Sequence, residues 1–427
     1  MLPVGDIDGT RLRRFRPTAA AIALVGVIAM AAPDPAHASM ASGIWISPGQ
    51  VDALPESGAA WRALEKIANG GLGKANIRDQ NNEHDTKTLA TALVYARTRQ
   101  ARYRAKAAAA IMAAIGTEKG GRTLALARSL IAYVIAADLI GLGGYDPAED
   151  QRFRRWLRMV QKEPLHGLTL RSTHERRANN WGTLAGASRE AADVYLGNTP
   201  DLARAAAVFK GWLGDRAAYH GFKFGADLSW QADPRRPVGV DPPGTIKKGL
   251  SLDGALPDDM RRGCPLRVPP CPTKYPWEAM QGAVAQAEIL SRQGYDAFGW
   301  EDQALRRAAE FLYGLHRRFG AGQWFVPPSD AWIPWVLDAR YGMRLPTRTP
   351  VPPGRGIGYT DWTAAAEQHC AGAGCAPPPA PAVRHRVRAH RRGRAGNAGP
   401  PIAVIVATIA LLMLMALVAR RVVRVRG

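Results

Sequence analysis

The sequence predicts an all-α body, and three observations carry the prediction. From Ser47 to about Asn198 apolar residues recur at three- and four-residue spacings, the period of one helix face. No convincing run of alternating apolar and polar residues marks a half-buried strand. Tandem helical blocks are separated by short Gly breaks, the pattern of helix pairs wrapped about a central axis. With 427 residues, 47% hydrophobic and 22% charged, the chain can bury at least one full-sized core.

The helical blocks follow in chain order. Leu89, Leu93 and Ala96 form a first apolar stripe. The stretch from Arg122 to Ile140 is apolar on nearly every side; Arg128 and Asp138 interrupt it, which makes it a central buried helix rather than a membrane span. Phe153, Trp156, Leu157 and Val160 fall at i, i+3, i+4 and i+7, the core face of an amphipathic helix. After Pro200 the pattern resumes with Leu202, Ala205, Ala206 and Phe209. Between Gly211 and Pro276 it vanishes into roughly sixty Gly/Pro-rich residues with aromatic islands such as Tyr219 to Phe222, and so long an irregular stretch within a domain is usually functional. Helices return over Trp277 to Ser291 and over Glu301 to Arg318, where Ala304, Leu305, Ala308, Phe311, Leu312 and Leu315 make an apolar face.

The two ends read differently. Residues 1–38 carry Arg11, Arg13, Arg14 and Arg16, then an apolar stretch from Ala19 to Ala32, then Ala36-His37-Ala38, the pattern of a secretory signal peptide cut after Ala38; the alternative is an uncleaved anchor. Residues 376–401 are rich in Pro, Ala, Gly and Arg and read as a solvated linker. Residues 402–419 hold no charge and are long enough for a C-terminal transmembrane helix, followed by the basic tail 420–427. These readings leave residues 39–375 as the folded domain, on the periplasmic or cell-surface face of the cytoplasmic membrane.

Subtracting the ends changes the meaning of the charge. Of the net +21, residues 1–38 hold +1 and residues 376–427 hold +10, so the body keeps +10. Export removes nucleic acid as the leading partner, and a basic extracytoplasmic body fits an acidic polysaccharide. The four cysteines agree with export. Cys264 with Cys271 and Cys370 with Cys375 are the simplest of three possible pairings, and none has the Cys/His company of a zinc site, so neither metal nor cofactor is expected.

Four segments carry a resemblance: His84-Asp85-Thr86-Lys87-Thr88-Leu89-Ala90, Asn179-Asn180-Trp181, Lys274-Tyr275-Pro276-Trp277-Glu278-Ala279, and Gly358-Tyr359-Thr360-Asp361-Trp362-Thr363. In order and spacing they resemble the bacterial alginate lyase domain family over most of residues 45–367. The resemblance implies an incomplete (α/α) toroid whose groove binds a uronic-acid polymer and cleaves it by β-elimination. That reaction must neutralise the uronate carboxylate, remove the C5 proton and protonate the departing O4.

The resemblance implies that Asn180 is the carboxylate neutraliser and Tyr275 the acid and base. The family has a catalytic His directly after this Asn, where this chain has Trp181; His174 and His220 are the available replacements. Arg267 or Lys274 would bind a substrate carboxylate, one as a fork and the other as a point charge. His84, Lys87 and Trp181 would line the substrate path. Local alternatives stand beside these roles: Asn180 and Asp85 as helix caps, Trp181 as core, Pro276 as a first-turn proline.

No Walker, dinucleotide, nucleophile-elbow or zincin pattern occurs. The leading expectation is therefore a membrane-anchored polysaccharide lyase. The alternative is a polysaccharide-binding or export-accessory protein that keeps the fold without the chemistry. A glycoside hydrolase drawing on Asp227, Asp241 or Glu278 is a third reading.

Overall fold

The computed structural model describes residues 43–320 and 324–364. The expected signal peptide, linker, C-terminal span and tail lie outside the described residues, as do Cys370 and Cys375. The chain divides into one unit ending at Cys375 and a second from Ala376 to Gly427, the latter wholly outside that range. Among the described residues no helix is long and apolar enough to cross a membrane.

The described body is mostly helical, as the periodicity requires. Its helices are α1 (Pro48–Asp52), α2 (Gly58–Asn69), α3 (His84–Thr98), α4 (Ala101–Ala114), α5 (Thr123–Leu139), α6 (Leu142–Tyr145), α7 (Pro147–Val160) and α8 (Leu170–Arg176). They continue with α9 (Asn180–Leu196), α10 (Thr199–Leu213), α11 (Pro257–Met260), α12 (Tyr275–Arg292), α13 (Trp300–Phe319), α14 (Ile333–Tyr341) and α15 (Thr360–Thr363). At the start of α13, Glu301, Asp302 and Gln303 take left-handed φ, so the right-handed helix runs from Ala304.

A central row is formed by helices that are buried on most sides. The order α3, α5, α9, α12 is also the order of packing, each helix lying against the next. In α5 every residue from Thr123 to Ala137 is buried, as its continuous apolar sequence predicts. The intervening helices bury one face only. In α7, Phe153, Trp156, Leu157 and Val160 are buried, each contributing about 1.5–3 kcal/mol by leaving water. In α13 the predicted face from Ala304 to Leu315 is buried likewise.

Two contacts fix the row. The Ser188 hydroxyl of α9 donates to the Ala127 carbonyl at 2.8 Å and accepts from the Ile131 amide at 3.1 Å, stapling α9 to one turn of α5. Helices α9 and α12 run parallel, with Asn180 beside Glu278 and Thr183 beside Gln286. A Cβ at Gly282 would overlap the backbone of Thr183 and Leu184, so the two helices can approach this closely only with glycine there.

The long stretch after α10 is irregular, as expected, with one departure. Ile246–Lys247 (β1) and Leu250–Ser251 (β2) pair antiparallel, Ile246 opposite Ser251. Lys248 and Gly249 both take positive φ, the geometry of a tight hairpin turn. Two residues per strand is too short to leave an alternating pattern. The expected Cys264–Cys271 disulfide is formed in the same region.

Candidate active site

Helix starts assemble the site. The first turns of α3, α9 and α12 contribute Asp85, Asn180, Tyr275 and Glu278, and the second turn of α5 contributes Arg128. Helix N-termini carry partial positive charge and unpaired N–H groups, so this grouping favours anions before any side chain is counted.

Glu278 is the hub. One carboxylate oxygen accepts from Asn180 Nδ2 at 2.8 Å and from Arg128 Nη2 at 3.0 Å; the other lies 3.5 Å from Lys274 Nζ. Asn180 Oδ1 accepts from Arg262 Nη1 at 2.8 Å. The Arg262 guanidinium in turn lies over the Tyr275 ring, 3.1 Å from its centroid, a cation–π contact. Arg262 reaches this place because α11 sets Asp259 below it, 3.7 Å from Nη1, and Asp259 also accepts from the Asn180 amide at 3.3 Å.

Burial shapes the charges. It pulls the Arg128 guanidinium below its ordinary pKa, against the attraction of Glu278. Burial, then the Asp258 charge, pushes the Asp259 carboxyl well above the usual range. Burial also raises Asp85 and Asp330 to about 7. The acids beside the site are thus partly protonated near neutrality.

The structure unites Asn180, Tyr275 and Lys274 and leaves the other expected residues apart. Asn180 is not the helix cap: Asn179 caps α9 by accepting from the Trp181 amide. Asn180 is 1% exposed and both ends of its amide are engaged, so it orients Glu278 and Arg262 rather than meeting a substrate carboxylate directly. His174 lies in the core between α9 and α12, packed at Gly186 and Gln286, and burial holds it well below the usual imidazole pKa. His220 is exposed in the loop after α10, its Nδ1 3.1 Å from the Arg216 carbonyl. None of the described histidines hydrogen-bonds to Asn180, Tyr275 or Glu278.

His84 is buried against Tyr133, with Nδ1 2.9 Å from the hydroxyl, and Lys87 pairs with Glu83 at 3.2 Å. Asp85 does not cap α3, whose preceding residue is Glu83; its carboxylate accepts from the next amide, of Thr86. Arg267 is exposed on the disulfide-closed loop, and the arginine that bonds Asn180 is Arg262. Trp181 is half-buried, with the Arg177 guanidinium 5.7 Å over its ring. Asp227 and Asp241 accept from the amides of Ser229 and Ala232 within the long loop and form no pair with Glu278.

Arg128, Arg262 and Arg355 are additions that the sequence signalled only in part. Arg128 announced itself as a charge within an apolar helix. Arg262 and Arg355 sit in irregular segments where no period assigns a side chain to a face. Among the described residues no cluster of His, Cys, Asp and Glu could hold a metal ion. No family model, curated protein or solved structure matches the chain.

Proposed function

We propose that the central row with its outer partners is an incomplete (α/α) toroid and that the protein is a polysaccharide lyase acting on an anionic, uronate-containing polymer. The observation that carries this reading is the Arg262 guanidinium fixed over Tyr275 while bonded to Asn180. A cation held on the phenol ring stabilises the phenolate, the form that can take a C5 proton. In the proposed step Tyr275 removes that proton as the C4–O4 bond breaks and a C4–C5 double bond forms; the same hydroxyl returns the proton to O4. Lys274, two-thirds exposed, supplies the charge that meets the uronate carboxylate.

Incubation of the purified protein with alginate, polyglucuronate and glycosaminoglycans tests this reading. Rising ultraviolet absorbance from the unsaturated product supports it, and no rise on any uronan overturns it. One observation favours a second reading, binding without cleavage on the same fold: no described histidine joins Asn180 and Tyr275, and Trp181 follows Asn180 where the resembled family has its catalytic His. Retention of the polymer without product, unaffected by Tyr275→Phe, would select it.

A further inference from the structure

Beside the hub lies a cavity of about 290 Å³ lined by Asn81, Asp85, Arg128, Ser329, Gly354 and Arg355. That is near the lower end of ligand pockets and suits one small polar ring. Two guanidinium groups face the same space. Arg128 is 5% exposed and its Nε has no hydrogen-bond partner, which is costly for a buried donor unless a ligand supplies the acceptor. Arg355 Nη1 is held by the Gln80 carbonyl and by Asn81 Oδ1, both at 2.9 Å.

The wall is built rather than incidental. Gly356 takes φ +78, and a Cβ there would overlap the Arg128 carbonyl oxygen, so the segment carrying Arg355 is pressed onto α5. The Arg355 amide donates to Gln281 Oε1 at 3.3 Å, docking the same segment on α12 one turn after Glu278. The two acids in the lining are answered locally: Glu83 pairs with Lys87, and Asp85 is raised to about 7.

We infer that this cavity is a second carboxylate subsite, taking the uronate unit next to the one at Tyr275 and reading its carboxylate with Arg128 and Arg355. The inference rests on the uronan reading above but not on cleavage. Arg128 links the two places, since its Nη2 meets Glu278 while the same side chain lines the cavity. The site would thereby recognise two successive anionic sugars and discriminate against polymers whose carboxylates are isolated.

Calorimetric binding of mannuronate, glucuronate and galacturonate tetrasaccharides, with their carboxyl-reduced counterparts, tests it in the Tyr275→Phe background. Arg355→Gln should weaken binding of the preferred tetrauronate about ten- to a hundredfold, the scale of one charge-assisted contact. Asn81→Ala, an exposed change that loosens Arg355 without touching the core, should weaken it less, and Arg355→Lys should restore part of the loss. Tight binding that none of these variants alters overturns the subsite and leaves the proposed function standing. Absence of binding to every tetrauronate overturns both. Binding that depends on Arg355, in a protein that never cleaves, supports the subsite and removes the lyase.

Discussion

Two arginines buried in adjacent central helices have opposite surroundings. Arg189 in α9 is enclosed by acids: it bonds both oxygens of Asp201, at 3.0 and 2.7 Å, and Glu175 at 3.2 Å, with Asp193 4.0 Å away. Arg128 in α5 has Glu278 as its acidic partner, keeps Nε unbonded and borders a cavity. Burial costs both side chains their hydration. At Arg189 the protein supplies an acceptor to each guanidinium nitrogen, so the cation itself is closed off, while Asp193 Oδ2 beside it stays unbonded. At Arg128 the supply is incomplete, and the deficit lies where helix starts already favour an anion. Completeness of partners, rather than burial or charge, separates a structural cluster from a receptive one.

Removing Arg189 tests the closed cluster most severely. Arg189→Leu leaves the buried Asp193 and the half-buried Asp201 with Arg171 as their nearby cation and should cost about 3 kcal/mol, the lower end for a broken buried pair, read as a large fall in denaturation midpoint. If the midpoint moves only slightly, the cluster is not the closed unit described here. On the receptive side, Tyr275→Phe should lower the elimination rate at least about a hundredfold while leaving the midpoint within about 1 kcal/mol. Loss of rate together with collapse of stability would make Tyr275 a packing residue.

Asp85 sharpens the comparison through pH. Its carboxyl is raised to about 7 by burial, whereas an unfolded Asp releases its proton near 4. Between those values the folded chain holds a proton that the unfolded chain has lost, so this group's stabilisation is full below about pH 4 and is lost as pH rises through 7. Asp85→Asn should remove that decline, raising stability at pH 8 by roughly 4 kcal/mol with little change at pH 4, as followed by thermal melts. In the Arg189 cluster the directions split: Asp201 is lowered and its neighbour Asp193 raised, so loss occurs at both acid and alkaline ends. The smallest effect is expected at His220. It is exposed and outside both clusters, so His220→Ala should change the midpoint by under about 0.5 kcal/mol and the rate by less than twofold.

The helical body was legible because its period is local. Phe153 to Val160 and Ala304 to Leu315 bury the faces their spacing predicts, and the apolar run from Arg122 to Ile140 becomes the buried α5. The site was legible in part. Asn180, Lys274 and Tyr275 stand at helix starts, where sequence signals are strongest, and they meet. His174 and His220 looked equivalent as histidines, since sequence distance from Trp181 says nothing about whether a side chain enters the core or leaves it. Arg262 and Arg355 escaped because irregular segments are placed by tertiary packing alone. Asn180 changed role for a related reason: its partners lie 82 and 98 residues away, and only they show that its amide is already engaged.

The parallel seating of α9 on α12 has a thermodynamic consequence. Each helix start carries the equivalent of about half a positive charge, and Gly282 brings two of them side by side. Like ends so close repel, and Glu278 offsets only part of that repulsion. An anionic polymer settling over them would relieve the remainder, which makes occupancy and folding linked equilibria. The folded fraction of the chain would then rise with the concentration of its own ligand, by RT ln(1 + [L]/Kd).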